Sequence, residues 1–207
     1  MRAFVLAMVA SVASAAEYDL VPAIWSPPVG FPEILRDVAS RLPTDTAAKE
    51  PDLITFAHEG THFLAKGRPG CHGLYIGGGI RLYVPTPPLT SAEVFAAIPK
   101  EKRGSIYYTY LRQSQTEYWS TQPLMILDEW TAYVHGSIAR RQVGLEIRRE
   151  TTTHCATMAG YAEVLYRLAK ERKEYPIQEL QDFCNWQLAR CREVIPDWDQ
   201  LSGARFE

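Results

Sequence analysis

Ten consecutive residues, Thr55-Phe56-Ala57-His58-Glu59-Gly60-Thr61-His62-Phe63-Leu64, carry the densest chemistry in this 207-residue chain. His58 and His62 are four apart, so on a helix they share a face and two imidazoles can grip one metal ion while a third ligand arrives from elsewhere. Glu59 is turned aside from the ligand positions and can address a water on that ion. Zinc lowers the pKa of such a water to about 7, and a neighbouring carboxylate takes the proton as the water attacks a carbonyl, then passes it to the leaving amine. Gly60 sits in the middle of the same helix at a cost of ~1 kcal/mol against Ala, and either permits a close backbone approach or is tolerated.

Two imidazoles leave a metal short of a protein ligand. The candidates for the third are Asp128, Glu129, Glu117, His72 and His135. On one helix Glu129 and His135 are separated by ~240° around the axis, whereas Asp128 and His135 share a face. An Asp128/His135 pair behind the ligands, or His135 as a donor to the transition state, is therefore one arrangement to test. Together with the first motif, Leu127-Asp128-Glu129-Trp130-Thr131-Ala132-Tyr133 resembles the zincin metallopeptidases of the gluzincin branch, whose third ligand is a Glu followed three residues later by Ala. The resemblance covers about ten residues around the first motif and six around the second. It implies one Zn2+ held by His58, His62 and Glu129, with Glu59 as general base and acid. It also implies a zincin-like fold and a peptide or protein substrate. The metzincin pattern is excluded, because Ala65 and Arg68 stand where it requires Gly and His. One departure from the gluzincin pattern is Tyr133, which occupies the place of an acidic residue that braces a zinc-binding His. Tyr133 shares a face with Glu129 and either orients a ligand, donates to an oxyanion, or packs as a buried aromatic.

The elements that must position these residues are legible from periodicity and punctuation. Pro51, Asp52, the apolar residues Leu53, Ile54, Phe56, Phe63 and Leu64, and a stop at Gly67 define a helix over 51–66. Pro123 opens a helix to about 142 with Leu127, Trp130, Val134 and Ile138 as its core stripe. Further helices are expected at 33–42, from the Thr90/Glu93 capping box to Pro99, at 150–173 and at 176–194. Leu74-Tyr75-Ile76 and Ile80-Arg81-Leu82-Tyr83-Val84 flank three glycines and predict a β-hairpin, either a cap on the fold or an edge for an extended substrate. Residues 105–119 suit strand or helix equally. The Pro-rich stretch 17–32 reads as an extended arm. The expected architecture is α+β, predominantly helical, with a small hairpin or sheet and one domain over 17–207.

Composition bounds the rest. With 22 Lys+Arg against 24 Asp+Glu and no basic stripe interleaved with aromatics, nucleic-acid binding is disfavoured. Residues 1–16, MRAFVLAMVASVASAA, run basic, apolar, then small, the order of a secretory signal peptide, and the apolar run is too short to span a bilayer. The expected working form is therefore exported, without a membrane span. Export makes Cys71, Cys155, Cys184 and Cys191 candidates for disulfides, although Cys184 and Cys191 lie about two helical turns apart, too far to pair with each other. The reading that follows is a secreted zinc-dependent hydrolase. Its rival is a secreted binding or structural protein without turnover.

Overall fold

The computed structural model describes residues 17–44, 52–109 and 122–207. The expected signal segment and Glu117 lie outside them. In chain order the elements are β1 (Tyr18–Leu20), α1 (Glu33–Ala39), α2 (Leu53–Leu64), β2 (Cys71–Gly77), β3 (Ile80–Pro85), α3 (Ser91–Ala97) and a 3-10 turn (Lys100–Lys102). They continue with α4 (Ser105–Tyr108), α5 (Met125–Gln142), α6 (Arg149–Lys170), α7 (Ile177–Val194) and α8 (Trp198–Leu201). The architecture is α+β and mostly helical, with one three-stranded antiparallel sheet in the order β1-β3-β2.

The helix starts follow from their caps. Asp52 is not inside the first turn of α2 but caps it, accepting from the backbone N–H of Ile54 and Thr55 at 2.8 Å each. Thr90 and Glu93 form the reciprocal capping box of α3. Of the ambiguous stretch 105–119, Ser105–Tyr108 is helical, and 110–121 lies outside the described residues.

Gly77, Gly78 and Gly79 turn the hairpin with φ of +91°, +64° and +77°, a region that side-chain-bearing L-residues rarely enter. Two expectations about this sheet change. The 17–32 segment is not only a surface arm, because Tyr18–Leu20 pairs antiparallel with β3, Tyr18 opposite Leu82, and becomes an edge strand. Farther along, the indole N–H of Trp25 donates to the carbonyl of Leu42 at 3.0 Å. At Gly73 the outer edge of β2 is taken by the chain itself, since Lys66 and Gly73 exchange backbone hydrogen bonds at 3.1 Å. At that position β2 offers no free edge to a substrate strand.

The core centres on α5. Its predicted stripe of Leu127, Trp130, Val134 and Ile138 is buried, but so are Asp128, Glu129, Thr131, His135 and Ser137 on its other faces. Most of the helix is enclosed, which is why a single apolar stripe understates its burial. On α2 the opposite holds. Phe63, one of the apolar residues that define the helix, is 66% exposed.

Gly60 marks a close approach. A β-carbon there would stand 2.5 Å from Val38 Cγ1 and 3.1 Å from Leu42 Cδ1. Gly60→Ala gains about 1 kcal/mol of helix propensity but forces α1 away from α2, an overpacking cost of about 1–3 kcal/mol. Denaturant melts should therefore show Gly60→Ala neutral to destabilised by ~2 kcal/mol; clear stabilisation would mean that α1 yields freely.

The disulfide expectation is corrected: Cys71, Cys155, Cys184 and Cys191 are all free thiols. Cys155, Cys184 and Cys191 are fully buried and act as small apolar residues, Cys155 lying 3.8 Å from Ser137 Oγ. Burial pushes the Cys155 thiol up to about 12, far from the reactive thiolate. Among the described residues no helix is long and apolar enough to cross a membrane.

Candidate metal centre

The site forms where α2 crosses α5. A β-carbon at Gly136 would lie 3.7 Å from the carbonyl of Ile54 and 3.8 Å from His58 Cβ, so the two backbones run close together. A buried hydrogen-bonded bolt fixes the crossing. Thr61 Oγ1 donates to the carbonyl of Ala57 at 2.7 Å and lies 2.8 Å from Nδ1 of His135. The Thr61 hydroxyl thus sits between the Ala57 carbonyl and the His135 ring, which also hydrogen-bonds the backbone of Ile76. Burial, with Arg190 nearby, pushes the His135 pKa down to about 3, so the ring stays neutral in the interior.

That bolt aims the imidazoles of α2 at Glu129. His58 Nε2 and His62 Nε2 are 3.3 Å apart, and each is 3.6 Å from a carboxylate oxygen of Glu129. All three ligand atoms lie within 4.8 Å of one another. A tetrahedral ion with ~2.0–2.1 Å arms has ligand atoms ~3.3–3.4 Å apart, so the spacing suits one ion. Glu129 is 6% exposed, and its Oε2 has no hydrogen-bond partner. A buried carboxylate oxygen without a partner is costly in a metal-free protein, and a cation resolves it. Two imidazoles and one carboxylate are a donor set for a borderline divalent ion.

The residues behind the ligands are arranged differently from the sequence expectation. Asp128 does not pair with His135. Its Oδ2 accepts from Nδ1 of His62 at 2.8 Å, which leaves the His62 Nε2 lone pair directed at the cluster. The brace that the resemblance sought at Tyr133 is thus supplied by Asp128, one residue before the Glu. Adjacent residues on a helix point ~100° apart, so Glu129 can face the ion while Asp128 reaches the side of His62. Tyr133 packs edge-on against His58 with ring centroids 4.7 Å apart, and against His154 at 5.1 Å. His154 was not singled out in the sequence, and no motif marks it. His135 is 1% exposed and engaged with Thr61, outside the ligand group. His72 is buried on β2 and is not among the converging atoms.

The two ligand histidines are electrostatically unlike. Burial, reinforced by His62 and the other imidazoles, depresses the pKa of His58. Burial opposes charge on His62 too, but is outweighed by the carboxylates of Asp128 and Glu129, which raise its pKa. Glu59 has a half-exposed side chain, and its Oε1 is 4.0 Å from His58 Nε2.

Asp128→Asn keeps the shape of the brace but removes its charge, so it should weaken metal binding about 10–100-fold with little change in fold. Competition with a chromophoric chelator reads this directly; unchanged affinity would show that Asp128 does not orient His62.

Comparisons with known protein families, curated proteins and solved structures return no match, so the reading of the site rests on its own residues and distances.

Proposed function

We propose that this protein is a metal-dependent hydrolase, with zinc as the resident ion and a peptide bond as the scissile group. The observation that carries the proposal is the convergence of His58, His62 and Glu129 at 3.3–3.6 Å, with a half-exposed Glu59 beside them and Asp128 fixing one imidazole. A divalent ion held there would supply Lewis acidity, lowering the pKa of a water to about 7 and polarising a carbonyl.

The chain's own groups do the remaining work. His58 and His62 present Nε2 lone pairs, and Asp128 holds the second ring in the tautomer that allows it. Glu59 accepts the proton of the attacking water as the C–O bond forms, and delivers it to the amine nitrogen as the C–N bond breaks. The exposure of Glu59 favours this role over a closed structural site, which needs no accessible base. Tyr133, wedged between the rings of His58 and His154, holds His58 in plane.

The test is metal content followed by turnover. Metal-replete protein should hold about one equivalent of zinc, and a peptide library should be cleaved by it and spared after chelation. Less than about half an equivalent would remove the metal centre. Full occupancy without cleavage would leave a metal-binding protein that is not a peptidase.

A further inference from the structure

A cavity of about 320 Å3 adjoins the metal centre. Its wall includes Arg68, Cys71, His72, Thr86, Gln122 and Leu124, with no acidic residue among the described residues that line it. Two observations place it beside the ligands. The Leu124 carbonyl accepts from the backbone N–H of Asp128 at 3.3 Å, so Leu124, part of the wall, stands about one helical turn before Asp128 on α5. His72, another wall residue, is buried on β2, which packs against α5.

The charged member of the wall is presented for recognition. Arg68 and Cys71 exchange backbone hydrogen bonds at 3.0 Å, which pins the base of the side chain. The guanidinium lies 3.8 Å over the ring of Tyr83, so one face is covered and the N–H edge is left to bind. That edge already holds a carboxylate, the exposed side chain of Glu17. A cavity with one oriented guanidinium, a hydroxyl, an amide and no acid complements a planar anion.

We propose that this cavity is a carboxylate subsite of the metal centre. The substrate presents a carboxylate to Arg68 across the cavity from Leu124, and Glu17 is an internal stand-in that it displaces. The role as a substrate subsite rests on the hydrolase reading above; carboxylate binding does not. Two sources share this chemistry, a chain-terminal carboxylate and an acidic side chain.

The test is a chemical-shift titration of the full chain after chelation, so that no metal competes for the anion. Three probes separate the sources. N-acetylglutamine carries only the terminal carboxylate, N-acetylglutamate α-amide only the side-chain one, and N-acetylglutamine amide neither. One or both of the charged probes should shift resonances of the cavity wall, and the neutral one should not. Arg68→Gln should weaken binding about tenfold or more. Glu17→Gln, which leaves the wall intact and keeps the test valid if Arg68→Gln fails to fold, should tighten it. Equal binding of the neutral probe, no binding of any probe, unchanged affinity in Arg68→Gln, or no tightening in Glu17→Gln would each overturn the subsite. Because the readout is binding without metal, absence of hydrolysis does not bear on it. Cleavage of peptides regardless of a carboxylate would remove the substrate role and leave the hydrolase reading intact.

Discussion

Glu59→Gln should abolish turnover while leaving the protein folded and its metal in place. Gln is nearly isosteric with Glu but cannot accept the proton of the attacking water, nor return one to the leaving amine. Removing a positioned general base of this kind costs about 10^2–10^4 in rate, and here one group serves both proton transfers, so the upper end is expected. The side chain is half-exposed and is not one of the three converging ligands. Its replacement should therefore shift stability by no more than about 0.5 kcal/mol. Metal stoichiometry should stay at that of the parent. The diagnostic measurements are kcat on a cleaved peptide, metal content and a melting curve on one preparation. Loss of rate with metal retained assigns proton transfer to Glu59. A variant that keeps its rate removes Glu59 from the mechanism, and one that loses its metal shows that Glu59 acts as a ligand. A matching Glu59→Asp variant should recover part of the rate, since the base is restored but set back by one methylene.

How much of this was legible in the sequence depends on whether a feature is local. The spacing of His58 and His62, the punctuation by Gly77-Gly78-Gly79 and the capping box at Thr90 are short-range, and each forms as expected. Glu129 lies with the two histidines in a group that could hold one ion, although periodicity alone does not select it over Asp128 or His135. The partners of Asp128 and His135 were not legible, because they depend on the angle at which α2 crosses α5. Both lie on one face of α5 about two turns apart, yet they meet consecutive residues of α2, His62 and Thr61, which point ~100° apart. The exposure of Phe63 and the pairing of Tyr18–Leu20 with β3 are likewise decided by what tertiary structure brings alongside. The disulfide expectation failed for a related reason. It rested on compartment, whereas pairing requires Cα atoms within ~7 Å, which no spacing along a chain can establish.

Replacing Glu129 should produce opposite effects in the presence and absence of metal. In the metal-free protein this residue is 6% exposed, with Oε2 unpartnered, and a buried polar group in that state costs about 1–3 kcal/mol, more when charged. Glu129→Leu removes that cost and fills the space with apolar volume, while Asp128 remains as the carboxylate partner of His62, so the exchange should be neutral or stabilising by up to the ~1–3 kcal/mol of the lost penalty. In a protein of this size 1 kcal/mol corresponds to ~2–4 °C, so metal-free Glu129→Leu should melt at or several degrees above the metal-free parent. With metal the order should reverse. The parent gains RT ln(1 + [M]/Kd), ~4 kcal/mol at a thousand times Kd, and the variant gains almost nothing because two imidazoles alone bind far more weakly. Glu129→Gln separates charge from packing. It should lose metal affinity as Leu does, yet gain less stability when metal-free, since a buried amide still needs partners. Paired melting curves of the three proteins, with chelator and with excess zinc, measure all six states. If the parent and Glu129→Leu respond equally to zinc, Glu129 is not a ligand. If both respond but metal-free Glu129→Leu is strongly destabilised, the carboxylate has a structural partner in the apo fold and its orphaned oxygen is not the reason it binds metal.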